Sequence, residues 1–134
     1  MSTTIATGSV HHLTLTVTDV QRSVEFYTTL LGFQMAMEIG PRRLLSNGSV
    51  IVALAPPDPD QALPNDRFNE NRVGLDHLSF NVARRADLET AVGLFDAHNV
   101  PHGEIKDLGP AMGLYVLALR DPDNIQLELT APYV

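Results

Sequence analysis

The chain has 134 residues, of which 44% are hydrophobic and 19% charged, so it can bury one domain-sized core and is not expected to be disordered. Sixteen acidic residues against nine basic ones give a net charge of −7, which disfavours a nucleic-acid partner. Since the sequence has no cysteine, disulfides, thiolate metal sites and cysteine nucleophiles are excluded. With no apolar run near the roughly 20 residues that cross a bilayer and no secretory signal in the first ten residues, we expect a cytoplasmic protein without a membrane partner.

The first half of the chain predicts a strand, a helix and three further strands. The helix begins after Asp19, a favourable N-cap, carries apolar residues at helical spacing and ends at Gly32. The Asn47-Gly48 pair favours a type I′ hairpin turn between the last two strands. The strands, predicted mainly from alternating polar and apolar residues, are His11–Val17, Phe33–Ile39, Arg43–Ser46 and Ser49–Leu54.

The second half predicts the same order of elements. A helical stripe of Leu88, Val92 and Phe95 follows the first strand, with Asp87 near its start. Asn99 occupies the place of the glycine that ends the first helix, and asparagine is the next-best residue for a left-handed stop. The predicted strands of this half are Leu75–Val82, Val100–Lys106, Leu114–Leu119 and Ile125–Thr130.

An internal duplication therefore organises the chain. The two modules span residues 8–55 and 73–132, and a Pro-rich polar linker at 56–72 joins them. Because a unit of about 60 residues buries too little surface to be comfortably stable alone, we expect a single domain, 1–134, in which the modules share one core. The predicted fold class is α+β, with paired βαβββ modules forming curved mixed sheets and helices on the outside.

Two histidines occupy equivalent places in the two halves. His12 and His77 each lie in a first strand, and each is followed by leucine and a hydroxyl residue. Counting from the closing turns places Val52 opposite Glu128, so three of four equivalent inward positions carry possible metal ligands. Imidazole and carboxylate suit divalent Zn, Mn, Fe, Co or Ni, and three ligands leave positions open for substrate. A lone strand histidine is more often a surface residue, but the shared placement favours a metal site.

Three motifs of the chain resemble the vicinal oxygen chelate superfamily, which includes glyoxalase I, extradiol dioxygenases, fosfomycin-modifying thiol transferases and bleomycin-binding proteins. The first motif is HLTLTVTD at 12–19, with RSVEFY at 22–27 and LLGF at 30–33. GLDHLSF at 74–80 resembles the opening of the second module, and DPDNIQLEL at 121–129 resembles the closing strand. The motifs occur in the family's order and the resemblance covers nearly the whole chain.

The resemblance implies a homodimer in which His12, His77 and Glu128 hold one divalent metal ion, with Fe, Mn, Zn, Ni and Co left open. Members of the family chelate adjacent oxygens of a small substrate on that metal, which stabilises developing negative charge. The expected function is a glyoxalase-like lyase or isomerase. The alternatives are an Fe(II) ring-cleavage dioxygenase, which uses the same ligand set, and a metal-free drug-binding protein of the bleomycin-resistance kind.

Two departures from the family pattern narrow the expected reaction. Glyoxalase I carries a fourth ligand, a glutamate, on the closing strand of the first module, where this chain reads SVIVAL at 49–54. The fosfomycin-modifying enzymes carry a tyrosine about where Ala118 stands. Catalytic residues are not assigned by the sequence. Side chains that could bind substrate, with barrel lining or simple packing as the alternative, are Thr14, Ser79, Asn81, Gln126 and Tyr115.

Overall fold

The computed structural model describes residues 3–134, which divide into two compact units on either side of the Gln61–Ala62 bond. Each unit contains one helix and one four-stranded mixed sheet, which confirms the predicted α+β class. Residues 56–77, all of them within the described part of the chain, form no helix or strand, in keeping with their proline-rich composition. None of the helices found in residues 3–134 is both long and apolar enough to span a membrane.

The first unit has the predicted order of elements. Its sheet has the strand order β1-β4-β3-β2, with β1 parallel to β4 and β3 antiparallel to both of its neighbours. Asp19 caps the helix by accepting a hydrogen bond from the Arg22 N–H at 3.1 Å, and the chain leaves the helix through Gly32 at φ +73°. The elements are β1 His12–Thr16, α1 Val20–Leu30, β2 Gln34–Ile39, β3 Arg42–Ser46 and β4 Ile51–Ala55.

The connection between β3 and β4 differs from the predicted type I′ turn. It has four residues, 47–50, and of the Asn47-Gly48 pair only Gly48 has a positive φ, +92°. The Asn47 side-chain oxygen accepts hydrogen bonds from the N–H groups of Ser49 and Val50, both at 2.9 Å. Asparagine therefore stabilises a wider loop through its side chain, because it can mimic a backbone turn.

The second unit repeats this architecture, with strand order β5-β8-β7-β6 and β5 parallel to β8. Its helix packs on β7 and β8 through Leu88, Ala91 and Phe95. Val92, predicted to face the core, is only half-buried, whereas Ala91 is buried. Its elements are β5 Leu78–Asn81, α2 Arg85–Ala97, β6 Lys106–Asp107, β7 Leu114–Arg120 and β8 Gln126–Pro132.

One predicted strand of the second unit is wrong in its extent, whereas both predicted ends of the helix agree with the structure. Of the strand predicted at Val100–Lys106, only Lys106 lies in a strand, β6, and His102 forms an isolated bridge with Leu119, because Pro101 has no N–H to donate to a ladder. α2 begins two residues before Asp87, whose carboxylate accepts the Arg84 N–H at 3.0 Å. The helix stop at Asn99 is confirmed, with φ +56°.

Candidate metal centre

One face of the sheet in the second unit is polar, and the strand register defines its members. Cross-strand partners lie on the same face of a sheet, and residues two apart along a strand share that face. Ser79 and Ala118 both pair with Glu128, so these three residues lie on one face. The opposite face carries Leu127 and Leu129, which are buried under α2. We call the first of these surfaces the polar face; its polar members are Ser79, Asn81, Arg120, Gln126, Glu128 and Thr130.

His77 and Glu128 approach each other at this face. His77 immediately precedes β5, and its Nε2 lies 3.8 Å from Oε1 of Glu128. Their side chains are 41% and 21% exposed, so a ligand from solvent can reach both. Two ligand atoms at 2.0–2.2 Å from one metal stand roughly 3 to 3.5 Å apart. The 3.8 Å between Nε2 and Oε1 therefore exceeds the separation of two ligands on one metal by only a few tenths of an ångström.

The hydrogen bonds of His77 leave the correct nitrogen available for a metal. Nδ1 lies 2.8 Å from Oδ1 of Asp76, and this carboxylate oxygen also accepts a hydrogen bond from Nε2 of Gln126 at 3.0 Å. An ionised carboxylate only accepts, so the proton of a neutral imidazole resides on Nδ1. The lone pair then resides on Nε2, the atom that points towards Glu128. The donor set of this pair thus fits a divalent ion such as Zn, Mn or Fe.

Two hydroxyl groups lie next to Glu128 on the polar face. Thr130 Oγ1 donates to Oε1 of Glu128 at 3.4 Å, and it lies 2.5 Å from Oγ of Ser79. Ser79 was among the predicted substrate-binding residues, whereas Thr130 was not. Its position two residues after Glu128 on an alternating strand is the sequence signal that could have identified it. Asn81 pairs with Thr130 in the register and therefore lies on the same face.

His12, the other predicted histidine ligand, lies in the first unit. It is exposed on β1, and Thr14, a predicted substrate-binding residue, is exposed on the same face two residues later. His12 Nδ1 lies 2.8 Å from Nδ1 of His11, with the rings edge to face and their centroids 5.1 Å apart. One of these nitrogens donates and the other accepts, so the contact engages Nδ1 and not Nε2 of His12. His11 directly precedes His12, so alternation along an extended segment would point it to the other face, yet its ring contacts that of His12.

The full three-ligand set stays a prediction. Across residues 3–134, no three His, Asp or Glu side chains stand in a group that could hold a metal ion as they are. The structure brings together His77 and Glu128, which both belong to the second unit. His12 belongs to the first unit.

The position equivalent to Glu128 in the first unit is Ala53, which corrects the count that assigned it to Val52. Thr14 pairs with Ala53, whereas Ser79, its counterpart two residues after the histidine, pairs with Glu128. Val52 is fully buried on the opposite face. The count, made from the turn pairs, fails because two residues, 49 and 50, separate Gly48 from β4, whereas only Ile125 separates Asn124 from β8. Alanine cannot ligate a metal either, so this position supplies no fourth ligand.

Tyr115 lies away from the polar face. It pairs with Ala131, and by strand alternation both lie on the face opposite to Glu128. Its ring stacks on Tyr133 with centroids 4.7 Å apart, and the Arg85 guanidinium lies 5.3 Å from the Tyr115 centroid. The structure therefore gives Tyr115 a packing environment and does not bring it to the candidate site. The Tyr133 hydroxyl donates to Asp107, which raises the pKa of Tyr133 to about 12.

An ion pair from the predicted linker borders the polar face. Arg120 donates to both carboxylate oxygens of Glu70, at 2.9 and 2.7 Å, and more weakly to Oε1 of Gln126 at 3.4 Å. The hydrogen bonds from Arg120 lower the pKa of Glu70 to about 2. Segment 56–72 thus contributes a charged side chain to the surroundings of Gln126.

The sequence matches the model of the Glyoxalase/Bleomycin resistance protein/Dioxygenase superfamily over residues 9–129. The chain belongs to this superfamily. The matched range includes His12, His77 and Glu128. The predicted resemblance to the vicinal oxygen chelate group is thereby confirmed.

Individual relatives span most of the chain. Protein YwkD of Bacillus subtilis is 33% identical over 129 residues, covering 90% of this chain and 94% of its own length. Protein YaeR of Escherichia coli is 30% identical over 128 residues, covering 90% and 93%. The metallothiol transferase FosB of Staphylococcus saprophyticus is 25% identical, covering 90% and 75%. Relatives of this chain therefore include one that is named as a transferase.

Solved structures share the fold. A glyoxylase/bleomycin resistance protein/dioxygenase domain from Frankia is 28% identical, with a TM-score of 0.75 over 95% of this chain and 93% of that one. The fosfomycin resistance protein FosX from Listeria monocytogenes, solved with Mn(II) and sulfate, has a TM-score of 0.72 at 16% identity, covering 95% and 92%. At that identity the likeness to FosX concerns the fold alone.

Proposed function

We propose that this protein is a divalent-metal-dependent enzyme of the glyoxalase-like kind, a lyase or isomerase that acts on a small molecule with neighbouring oxygen atoms. His12, His77 and Glu128 hold the metal. The observation that carries the proposal is the approach of His77 Nε2 to Glu128 at 3.8 Å, with Nδ1 of the same ring engaged by Asp76. A histidine and a carboxylate in this arrangement are typical of metal ligation.

Membership of the superfamily and the name of one relative support a metal. FosB is named a metallothiol transferase. Three protein ligands leave two or three coordination positions for water or substrate, which catalysis requires and a closed structural site does not provide. The candidate ions are Fe, Mn, Zn, Ni and Co, and the calorimetric titration described below distinguishes among them by affinity.

The polar face supplies the groups that would orient the substrate. A divalent ion bound there would act as a Lewis acid and stabilise negative charge developing on the substrate oxygens. The Ser79 and Thr130 hydroxyls and the Asn81 amide offer hydrogen-bond donors on the same face as Glu128. Thr14 would add a hydroxyl from the first unit beside His12.

Ala53 and Ala118 narrow the reaction further. Ala53 stands where glyoxalase I carries its fourth ligand, so a proton would have to be taken by another group. Ala118 is the direct cross-strand partner of Glu128, so a methyl group occupies the place of the tyrosine of fosfomycin-modifying enzymes. The first feature counts against glyoxalase I activity and the second against fosfomycin-modifying activity. The substrate therefore has to be identified by screening.

A second candidate function is an Fe(II) ring-cleavage dioxygenase. The observation that favours it is the ligand set, because two histidines and one carboxylate with open positions are typical of non-haem Fe(II) oxygenases. The absence of a carboxylate at Ala53 does not count against oxygen chemistry, which needs no base at that position. Turnover of catechols in the presence of oxygen, set against turnover of hemithioacetals without oxygen, separates the two candidates.

Calorimetric titration of metal-free, untagged protein with Mn²⁺, Ni²⁺, Zn²⁺ and anaerobic Fe²⁺ tests the proposal. We expect one ion per chain, and at least a tenfold weaker affinity in each of His12→Ala, His77→Ala and Glu128→Ala. His98→Ala and Glu104→Ala, which remove an exposed histidine and an exposed glutamate elsewhere, are the matched controls. If Glu128→Ala binds as tightly as the parent, the proposal is wrong. Absence of binding by the parent would instead favour a metal-free drug-binding protein.

A further inference from the structure

We propose that Asp76 is a positioning residue for His77, and that Glu70, Arg120 and Gln126 hold Asp76 in place. The proposal rests on the proposed function, because its purpose is to present the Nε2 atom of His77 to a metal. It extends the candidate site from three ligands to a series of hydrogen bonds that begins at Glu70 in the predicted linker.

The first contact in this series, between Asp76 and His77, fixes the imidazole ring. Asp76 Oδ1 lies 2.8 Å from Nδ1 of His77, although both side chains are substantially exposed, at 67% and 41%. In water an exposed neutral imidazole exchanges between two tautomers and rotates freely. A carboxylate at Nδ1 selects the form protonated on Nδ1, which directs the lone pair of Nε2 away from Asp76 and towards Glu128.

The second link holds Asp76. Gln126 Nε2 donates to Oδ1 of Asp76 at 3.0 Å and to its backbone carbonyl at 3.1 Å. The orientation of the Gln126 amide follows from chemistry, because its Oε1 faces a guanidinium nitrogen of Arg120 at 3.4 Å, and arginine can only donate. Nε2 is then left facing Asp76, which can only accept.

The third link anchors Arg120. Its two terminal nitrogens donate to the two carboxylate oxygens of Glu70. The nitrogen Nη1 also donates to the Asn124 carbonyl at 3.2 Å. The side chains of Arg120 and Glu70 are 27% and 22% exposed, so the fork is partly shielded from water. A bidentate pair constrains geometry more than a single contact does. Segment 56–72 therefore supports the candidate site rather than only joining two units.

The expected consequence concerns metal affinity. Outer carboxylates that orient a ligating histidine typically contribute about 10- to 100-fold in affinity. Asp76→Ala should weaken metal binding by that factor, whereas Asp76→Asn, which keeps an acceptor oxygen for both Nδ1 and Gln126, should recover most of it. Gln126→Leu should have a smaller effect of the same sign, since it removes the support and leaves the Asp76–His77 contact possible.

A spectroscopic measurement on metal-free protein provides a readout that a merely structural role would not change. The imidazole nitrogen chemical shifts of His77, followed with rising pH until they no longer change, should show the Nδ1-protonated tautomer in the parent and in Asp76→Asn. Asp76→Ala should show a mixture of tautomers. Asp96→Ala, which breaks the corresponding carboxylate–histidine contact at His102, should leave both the His77 shifts and the metal affinity unchanged.

The outcomes separate this proposal from the proposed function. If His77→Ala and Glu128→Ala lose metal while Asp76→Ala retains both affinity and tautomer, the positioning role is overturned and the metal site stands. If His77→Ala retains full affinity, the metal site itself is wrong, and the tautomer measurement still decides whether Asp76 orients His77. Equal loss in Asp76→Ala and Asp76→Asn, with the tautomer preserved in both, would also overturn the positioning role.

Discussion

The Nε2 atom of His77 and the Oε1 atom of Glu128 lie 3.8 Å apart because of the parallel pairing of β5 with β8. That pairing places Ser79 beside Glu128, and His77, two residues before Ser79, lies just outside the strand. In the first unit the same pairing places Thr14 beside Ala53. The same strand register therefore brings a histidine close to a carboxylate in the second unit. In the first unit it places alanine at the equivalent position, so His12 has no carboxylate there.

Replacement of Glu70 should alter stability in acid. The pKa of Glu70 in the folded protein is lowered to about 2 from its ordinary value of 4.5, so its pairing with Arg120 stabilises the fold above pH 4.5. This stabilisation is lost as the pH falls from 4.5 towards about 2. Glu70→Gln should therefore unfold at lower urea concentration than the parent at neutral pH, and the difference should shrink in acid. A constant difference at all pH values, or the same behaviour in the exposed control Glu104→Gln, contradicts the assignment.

His102 should stabilise the fold with the opposite dependence on pH. Its ring nitrogens face two acceptors, the Asp96 carboxylate at 2.6 Å and the Gly103 carbonyl at 2.7 Å, so both must donate. The hydrogen bond to Asp96, followed by that to Gly103, raises the pKa of His102 above 6.5. The stabilisation is therefore complete below pH 6.5 and is lost as the pH rises through the raised value.

The His102 prediction is checked by urea unfolding of the parent and Asp96→Asn. The substitution should cost roughly 0.2–1 kcal/mol at acidic pH, as partly exposed pairs do. It should cost less at alkaline pH, where the imidazole is neutral in both proteins. An equal loss at the two pH values would mean that the charge of His102 does not contribute.

Substitutions at the two helix stops, Asn99 and Gly32, should change the free energy of unfolding in a matching way. The residue has φ +56°, a conformation that disfavours most side chains and that glycine adopts freely. Asn99→Ala should lower the free energy of unfolding by about 1–2 kcal/mol, whereas Asn99→Gly should change it little. Gly32→Ala, at φ +73°, should behave like Asn99→Ala. Thermal or urea unfolding measures all three, and a neutral Asn99→Ala would count against the equivalence of the two stops.

Much of the fold could be read from the sequence because its signals are local. Alternation identified the strands, Asp19 the first helix start, and Gly32 and Asn99 the two stops. Two predictions were wrong. The equivalence of Ala53 with Glu128 depends on how many residues separate each turn pair from the next strand, which the Asn47-Gly48 motif does not specify. The strand at β6 is short because Pro101 has no N–H to donate to the ladder with β7.

The candidate site divides in the same way. His77 is predicted from its match with His12 in the other half of the chain, and Glu128 from its place on the strand after the closing turn. The support from Asp76, Arg120 and Glu70 could not be found, because residues distant in sequence meet through side-chain hydrogen bonds that no periodicity encodes. Tyr115 was assigned to the site without regard to its parity along β7, which places it on the other face.

We expect the protein to form a homodimer. The edge strand β2 exposes three apolar side chains, and Met35, Met37 and Ile39 are 42%, 54% and 51% exposed. Exposed apolar edges are unusual in monomers, because they pair with other chains. Sedimentation at micromolar concentration should show a dimer for the parent and a shift towards monomer for the double substitution Met37→Glu, Ile39→Lys.

A matched control for the dimer experiment is Leu63→Glu, which charges an apolar side chain that is 63% exposed but lies on no strand. It should leave the dimer intact. A parent that sediments as a monomer would contradict the assembly itself. A dimer that survives the β2 substitutions would place the interface elsewhere.

The most direct test of the central claim is a crystal structure of the protein grown with Mn²⁺ or Zn²⁺, with data collected at the absorption edge of the metal. The account predicts one anomalous peak per chain, about 2.0–2.2 Å from Nε2 of His12, Nε2 of His77 and a carboxylate oxygen of Glu128. Asp76 should remain hydrogen-bonded to Nδ1 of His77. A peak bound by other residues, or a fully occupied metal that lacks Glu128 as a ligand, would contradict the account.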